Sequence, residues 1–143
     1  MPMIERSITV DKPLNKVWDY LSDFRNTKEW DPPTVTTELE SGNGDVGTVY
    51  RNVSKFMGHK TEIEYTVIDY EPHRLLRLRG ENPSMTAIDT IRFEEDGEST
   101  TVNYRAELEP HGVAKLAVPL MAVGLKKLGG DAEEKMRECL NRL

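Results

Sequence analysis

The chain has 143 residues and a mass of 16.3 kDa, enough for one domain spanning residues 1–143 and too little for a second. With 37% hydrophobic and 31% charged residues it fits neither a fibrous nor a membrane chain, and a net charge of −6 argues against a nucleic-acid partner. Its one cysteine, Cys139, allows no internal disulfide, and His59, His73 and His111 lack any zinc-type spacing, so no metal is expected.

The opening Met1-Pro2-Met3-Ile4-Glu5-Arg6 has neither the basic start nor the apolar core of a signal peptide. The longest uncharged apolar run, Leu116 to Leu125, is half of what crosses a bilayer. Cytoplasmic residence is the expectation. Ile4, Ile8 and Val10 alternate with Glu5, Ser7 and Thr9, which predicts a half-buried strand whose apolar side Arg6 interrupts. Asp11 is placed to cap a helix with Pro13 in its first turn, and Leu14, Val17, Trp18 and Leu21 follow at helical spacing. Ser22-Asp23 ends that helix and can cap a second, Phe24 to about Trp30, which Asp31-Pro32-Pro33 stops.

From Thr34 to Glu109 the pattern is β. The predicted strands are Thr34–Glu40, Gly47–Lys55, Lys60–Tyr70, Arg74–Gly80, Ser84–Glu94 and Thr100–Glu109. Turn chemistry separates them: Ser41-Gly42-Asn43-Gly44-Asp45, Met57-Gly58-His59, Glu71-Pro72-His73, Glu81-Asn82-Pro83 and Glu95-Asp96-Gly97-Glu98. Such short breaks imply an antiparallel meander. In the last strand Val102, Tyr104, Ala106 and Leu108 alternate with Thr101, Asn103, Arg105 and Glu107, so one sheet face is covered and the other wet. The cover must come from the chain ends. From Val113 the composition is helical, with Pro119 set to kink the helix or divide it and with Gly124 and Gly129-Gly130 loosening it. One strand, two short helices, six strands and one long helix make an α+β fold with its helices on one side of the sheet.

Pro13, Val17-Trp18, Leu21-Ser22-Asp23, Trp30, Gly47-Thr48, Gly58, Glu71-Pro72, the Gly97 turn, Thr101-Val102-Asn103-Tyr104 and Pro110-His111-Gly112 occur in an order and spacing that resembles the START-like (SRPBCC) superfamily. Within it the likeness is to the polyketide cyclase/dehydrase and lipid-transport branch. The resemblance implies a helix-grip fold. A curved antiparallel sheet of about seven strands would wrap the long C-terminal helix and enclose a cavity, with two short helices after the first strand closing one end. The cavity comes from the resemblance; periodicity does not show it.

Several residues are candidates for lining such a cavity. Trp18 and Trp30 are the largest apolar side chains, read as core or, for Trp30, as a pocket wall. Tyr50, Tyr65 and Tyr104 lie on three strands, where inward-facing hydroxyls would be polar groups in an apolar space. Asp89 shares parity with Met85, Ala87, Ile91 and Phe93, which puts a carboxyl on the covered face, where its pKa should rise. The competing reading turns it to solvent at a bulge. Arg77 and Arg79 are read as wet-face residues paired with acids such as Glu62 and Glu64, and His111 as a capping or solvent residue. Val118, Met121 and Leu125 on the last helix are small or adaptable and leave room for a guest. Residues 113–143 carry a net +2 against −8 for the rest, so transient membrane contact through 113–130 is one further reading.

The leading expectation is binding or transport of a hydrophobic small molecule, such as a lipid, isoprenoid or aromatic polyketide, with no metal or organic cofactor. The alternative is a polyketide cyclase or dehydratase using Asp89 and Tyr104 as an acid/base pair. A third is an interaction module with a filled core. No nucleophile elbow, metalloprotease helix or phosphate loop is present in the sequence.

Overall fold

The computed structural model describes residues 2–56 and 58–143, so Met57 of the expected Met57-Gly58-His59 turn lies outside the described residues. Seven strands form one sheet: Met3–Val10 (β1), Thr34–Ser41 (β2), Val49–Phe56 (β3), His59–Glu71 (β4), Leu75–Asn82 (β5), Met85–Asp96 (β6) and Ser99–Pro110 (β7). Their order is β1-β7-β6-β5-β4-β3-β2, every neighbouring pair antiparallel. Register shifts at Thr34/Thr36 and Leu39/Ser41 in β2 and at Val67/Asp69 in β4 bend the strands. Helix α1 (Leu14–Leu21) leads through a 3-10 turn at Phe24–Asn26 to the single-turn α2 (Thr27–Trp30). A second 3-10 segment, Gly112–Ala117, precedes the long α3 (Val118–Asn141). This is the helix-grip arrangement.

Local chemistry explains most boundaries and corrects a few expectations. Asp23 caps the 3-10 turn by accepting from the Arg25 amide. Asp11 caps nothing. Pro13 is the N-cap of α1, and the Asp11 carboxylate, two residues too early, accepts from the Ser99 hydroxyl at 2.7 Å instead. Pro119 does not kink α3 but marks the break between the 3-10 segment Gly112–Ala117 and α3, the second of the two outcomes expected of it. It sits in the first turn, where its missing N–H costs nothing, and the helix runs unbroken through Gly124, Gly129 and Gly130. Arg77 pairs with Asp69 at 2.8 Å and Arg79 with Glu81 at 2.8 Å, not with Glu62 or Glu64. The β4 register sets Glu64 opposite Glu81, and the shift before Asp69 brings that acid to Arg77. The outer face is also less wet than predicted. Thr90 is buried beneath Arg77, and Thr86 is buried in a 2.7 Å hydrogen bond to His111 Nε2, so that histidine stands at the N-cap of the Gly112–Ala117 segment but turns its ring to the sheet rather than to the helix amides or to solvent alone.

Helix α3 packs along the inner face of β1. A Cβ at Gly129 would lie 2.9 Å from Ile4 Cγ2 and 3.1 Å from Arg6 Nε, so the close approach needs glycine. Arg6 thus points under the helix, with Glu133 at 3.9 Å. Met121, Leu125, Ala132, Met136, Cys139 and Leu140 form the buried stripe of α3. At the other end of the sheet α1 covers β6 and β7, where Trp18 packs edge-on against Phe93 at 4.9 Å and Tyr70 at 5.5 Å. Val113, Leu116 and Val123 are exposed. No helix among the described residues is long and apolar enough to cross a membrane.

Gly80 makes room for a site residue. It faces Tyr65 across β4 and β5, and a Cβ there would come within 2.6 Å of the Tyr65 ring and 2.7 Å of Ile63. Gly80→Ala should therefore cost about 1–3 kcal/mol in urea unfolding, because backbone or ring must shift. A change below about 0.5 kcal/mol would show that Tyr65 swings aside freely.

Candidate functional site

Between the inner face of the sheet and α3 lies a cavity of about 110 Å³. Ile63 and Tyr65 of β4, Met85 and Asp89 of β6, and Tyr104, Ala106 and Leu108 of β7 line the sheet side. Leu125, Leu128 and Ala132, one stripe of α3, close it from above, and Asp31 and Pro33 reach it from the loop after α2. Ile4, Ser54 and Thr61 complete the wall. Larger grooves exist on the surface, such as one of about 340 Å³ between β1 and α3, but this cavity is the one that gathers buried titratable groups.

Asp89 lies where its parity predicts, 6% exposed, opposite Leu78 and Ala106. Burial, then the nearby charge of Asp31, pushes its pKa up to about 8. Asp31 is half-buried by its own exposed area, yet protein surrounds its carboxyl closely enough that burial raises it to about 6, against the opposing hydrogen bond from Thr34. Tyr65 and Tyr104 are both buried, and their hydroxyl pKa values are pushed well up by burial and then by Asp89 and Asp31. The site is thus two acids and two phenols in an otherwise mainly apolar wall. Among the described residues no cluster of histidine, cysteine or acidic side chains could hold a metal ion.

The helix stop aims Asp31. The residue before a proline is driven out of the helical region, and Asp31 is extended at φ −96° and ψ 107° after its amide closes α2 on the Thr27 carbonyl. A chain of buried hydrogen bonds then holds its carboxylate. The Thr34 hydroxyl donates to Asp31 at 2.6 Å, and the Asn52 amide donates to Thr34 at 3.1 Å and to Thr37 at 2.9 Å. Thr37 and Thr27 share a 2.6 Å contact, and Thr27 donates to the Phe24 carbonyl. Each hydroxyl has one proton, so Thr37 donates to Thr27 and the chain has one consistent direction. Asn52 is its hub, 3% exposed. Asn52→Ala should cost about 1–3 kcal/mol in denaturant unfolding, by stranding its partners. A loss within about 0.5 kcal/mol would mean that water replaces the amide.

Four of the predicted ligand-binding residues line the cavity: Tyr65, Asp89, Tyr104 and Leu125. The others lie elsewhere. Tyr50 faces inward beside Phe24 and borders a shallow surface groove with Asp23, Arg25 and Tyr70. Trp18, Ile91 and Phe93 are core, and Trp18 and Phe93 pack together under α1. Trp30 backs the cavity wall, with its ring edge-on to Tyr104 at 5.2 Å. Met121 is buried and Val118 half-buried on the same face of α3, one and two turns before the first residue that lines the cavity. Sequence reasoning missed Asp31, because its place before Pro32 already accounts for an acid there. It also missed Asn52, whose strand gave an ambiguous parity. An asparagine among strand residues is the signal that was available.

Residues 1–143 match the family described as polyketide cyclase / dehydrase and lipid transport, and the chain belongs to that family. The fold is shared with an aromatase/cyclase from Streptomyces at 17% identity, covering 98% of this chain and 93% of that one with a TM-score of 0.81. A START superfamily protein from Mycobacterium smegmatis is similar at 14% identity, with coverage of 98% and 94% and a TM-score of 0.74. A conserved protein from Geobacillus kaustophilus is similar at 21% identity, with coverage of 98% and 95% and a TM-score of 0.72. A comparison with curated proteins gives no match.

Proposed function

We propose that the protein binds a small, largely apolar molecule carrying one polar group in the cavity between the sheet and α3. The observation that carries this reading is the Asp89 carboxyl, buried on the cavity wall with no side-chain hydrogen bond from the described residues acting on it. A protein interior rarely leaves such a group without a partner, and a ligand supplies one. The family and the fold are consistent with this reading. Ligand-observed NMR with a panel of small aromatic and isoprenoid compounds tests it. Leu128→Trp, which fills the cavity from α3, should abolish binding while leaving the circular dichroism spectrum unchanged. Binding that survives a folded Leu128→Trp protein would place the ligand elsewhere.

A second reading is an acid/base enzyme acting on a polyketide-like chain, and it is favoured by one observation. A carboxyl with a pKa near about 8 beside a phenol is poised to take and return a proton near neutral pH. Under this reading Asp89→Asn and Tyr104→Phe abolish turnover of a linear poly-β-ketone mimic while affinity for it persists. If only affinity changes, the binding reading stands alone.

A further inference from the structure

The cavity wall has a charge pattern that narrows the ligand class. Two carboxyl groups, Asp31 and Asp89, line it, and among the described residues no lysine, arginine or histidine does. No ion pair among the described residues engages either acid. The groups that face Asp89 are Asp31 from the loop after α2, Tyr65 from β4 and Tyr104 from β7. Helix α3 and strand β1 bring Leu125, Leu128, Ala132 and Ile4 to the wall, while their charged pair under the helix, Arg6 and Glu133, lies outside the lining. Neither tyrosine hydroxyl has a hydrogen bond acting on it.

With Asp89 holding its proton up to about pH 8, an anionic ligand would meet the Asp31 carboxylate and no basic side chain on the described wall. A neutral alcohol can hydrogen-bond to one of the two acids but neutralises neither. A cation relieves both, since an ammonium donates three hydrogen bonds and accepts none. Two phenol rings beside it add the attraction of a cation for an aromatic face. The apolar stripe of α3 suits the rest of the molecule. A cavity of about 110 Å³ limits that remainder to at most one small ring, since it is smaller than the engineered apolar cavity of about 150 Å³ that holds benzene.

We propose that the cavity takes a small hydrophobic amine, with its ammonium at Asp31 and Asp89 and its apolar body against Leu125, Leu128 and Ala132. This rests on the reading of the cavity as a ligand site.

Benzylamine, benzyl alcohol and benzoate form a matched set of cation, neutral and anion. Their binding to the full chain is measured by ligand-observed NMR and by titration calorimetry in buffers of different ionisation enthalpy. Benzylamine should bind at least about tenfold more tightly than benzyl alcohol, and benzoate more weakly than either. Amine binding should release a proton from Asp89 and strengthen as pH rises from about 6 to about 8.5, whereas alcohol binding should not. Asp89→Asn should remove the proton release and most of the preference for the amine over the alcohol. If the alcohol or benzoate binds as tightly as the amine, the cation proposal falls and the cavity remains a ligand site. If no member of the set binds, or if binding persists unchanged in Leu128→Trp, both readings fall together.

Discussion

Replacing Asp89 by asparagine should raise the melting temperature at alkaline pH and leave it nearly unchanged at acid pH. The sign follows from proton linkage. Asp89 titrates near 3.8 when unfolded and is pushed up to about 8 in the fold, so between those values the folded chain holds a proton that the unfolded chain has lost. Stability therefore falls as pH rises through this window. The decline is at most about 1.4 kcal/mol for each pH unit. Relaxation and water entry reduce it, so the cost at pH 8.5 is on the order of 3 kcal/mol. Asparagine keeps the shape and carries no charge, which removes the cost. Asp31, raised to about 6, adds a shorter window of the same sign that the variant retains. Thermal unfolding of both proteins from about pH 4 to 9 measures the effect. A difference that stays flat with pH would mean that Asp89 is ionised and solvated in the fold.

Truncating Trp30 to alanine should cost about 3–5 kcal/mol, near the upper end for a single core side chain. Trp30 is 1% exposed and joins the short helix α2 to Tyr104 on β7, so its removal opens a void behind the cavity wall. The indole Nε1 is buried with no partner among the described residues, a polar atom already desolvated without return. Trp30→Phe removes that atom while keeping a ring against Tyr104, and should cost less than half as much as the alanine variant. Urea midpoints for the two variants check this ordering. Equal losses would mean that the indole N–H contributes favourably and has a partner in solution.

The antiparallel meander was legible from the short turns, and the inner face of β6 and β7 from alternation. In β7 the inward set of Val102, Tyr104 and Ala106 is buried, and in β6 the parity of Ile91 and Phe93 placed Asp89 correctly. Alternation gives the face of a sheet and says nothing of position along it. Ile91 and Phe93 share the face of Asp89 but lie further along β6, towards the end that α1 covers with Trp18. Which end is filled and which is hollow depends on where α1, α3 and the Asp31 loop pack, and these are contacts between distant parts of the chain. The same limit applies to α3. Its apolar character was clear, but which turns of that face meet the cavity, those of Leu125, Leu128 and Ala132 rather than the earlier one of Met121, depends on where the helix seats against β1, at the close approach of Gly129. Asp31 stayed hidden for a local reason, since a helix stop before two prolines is a sufficient explanation for an acid.

The claim that the cavity holds a small apolar molecule is tested most directly by native mass spectrometry of the purified protein, with organic extraction of whatever is released. The account predicts a discrete adduct on the wild-type chain that is absent from Leu128→Trp purified in the same way. An adduct carried equally by the filled variant, or a wild-type chain that stays bare when offered the extract of its own expression host, would contradict it.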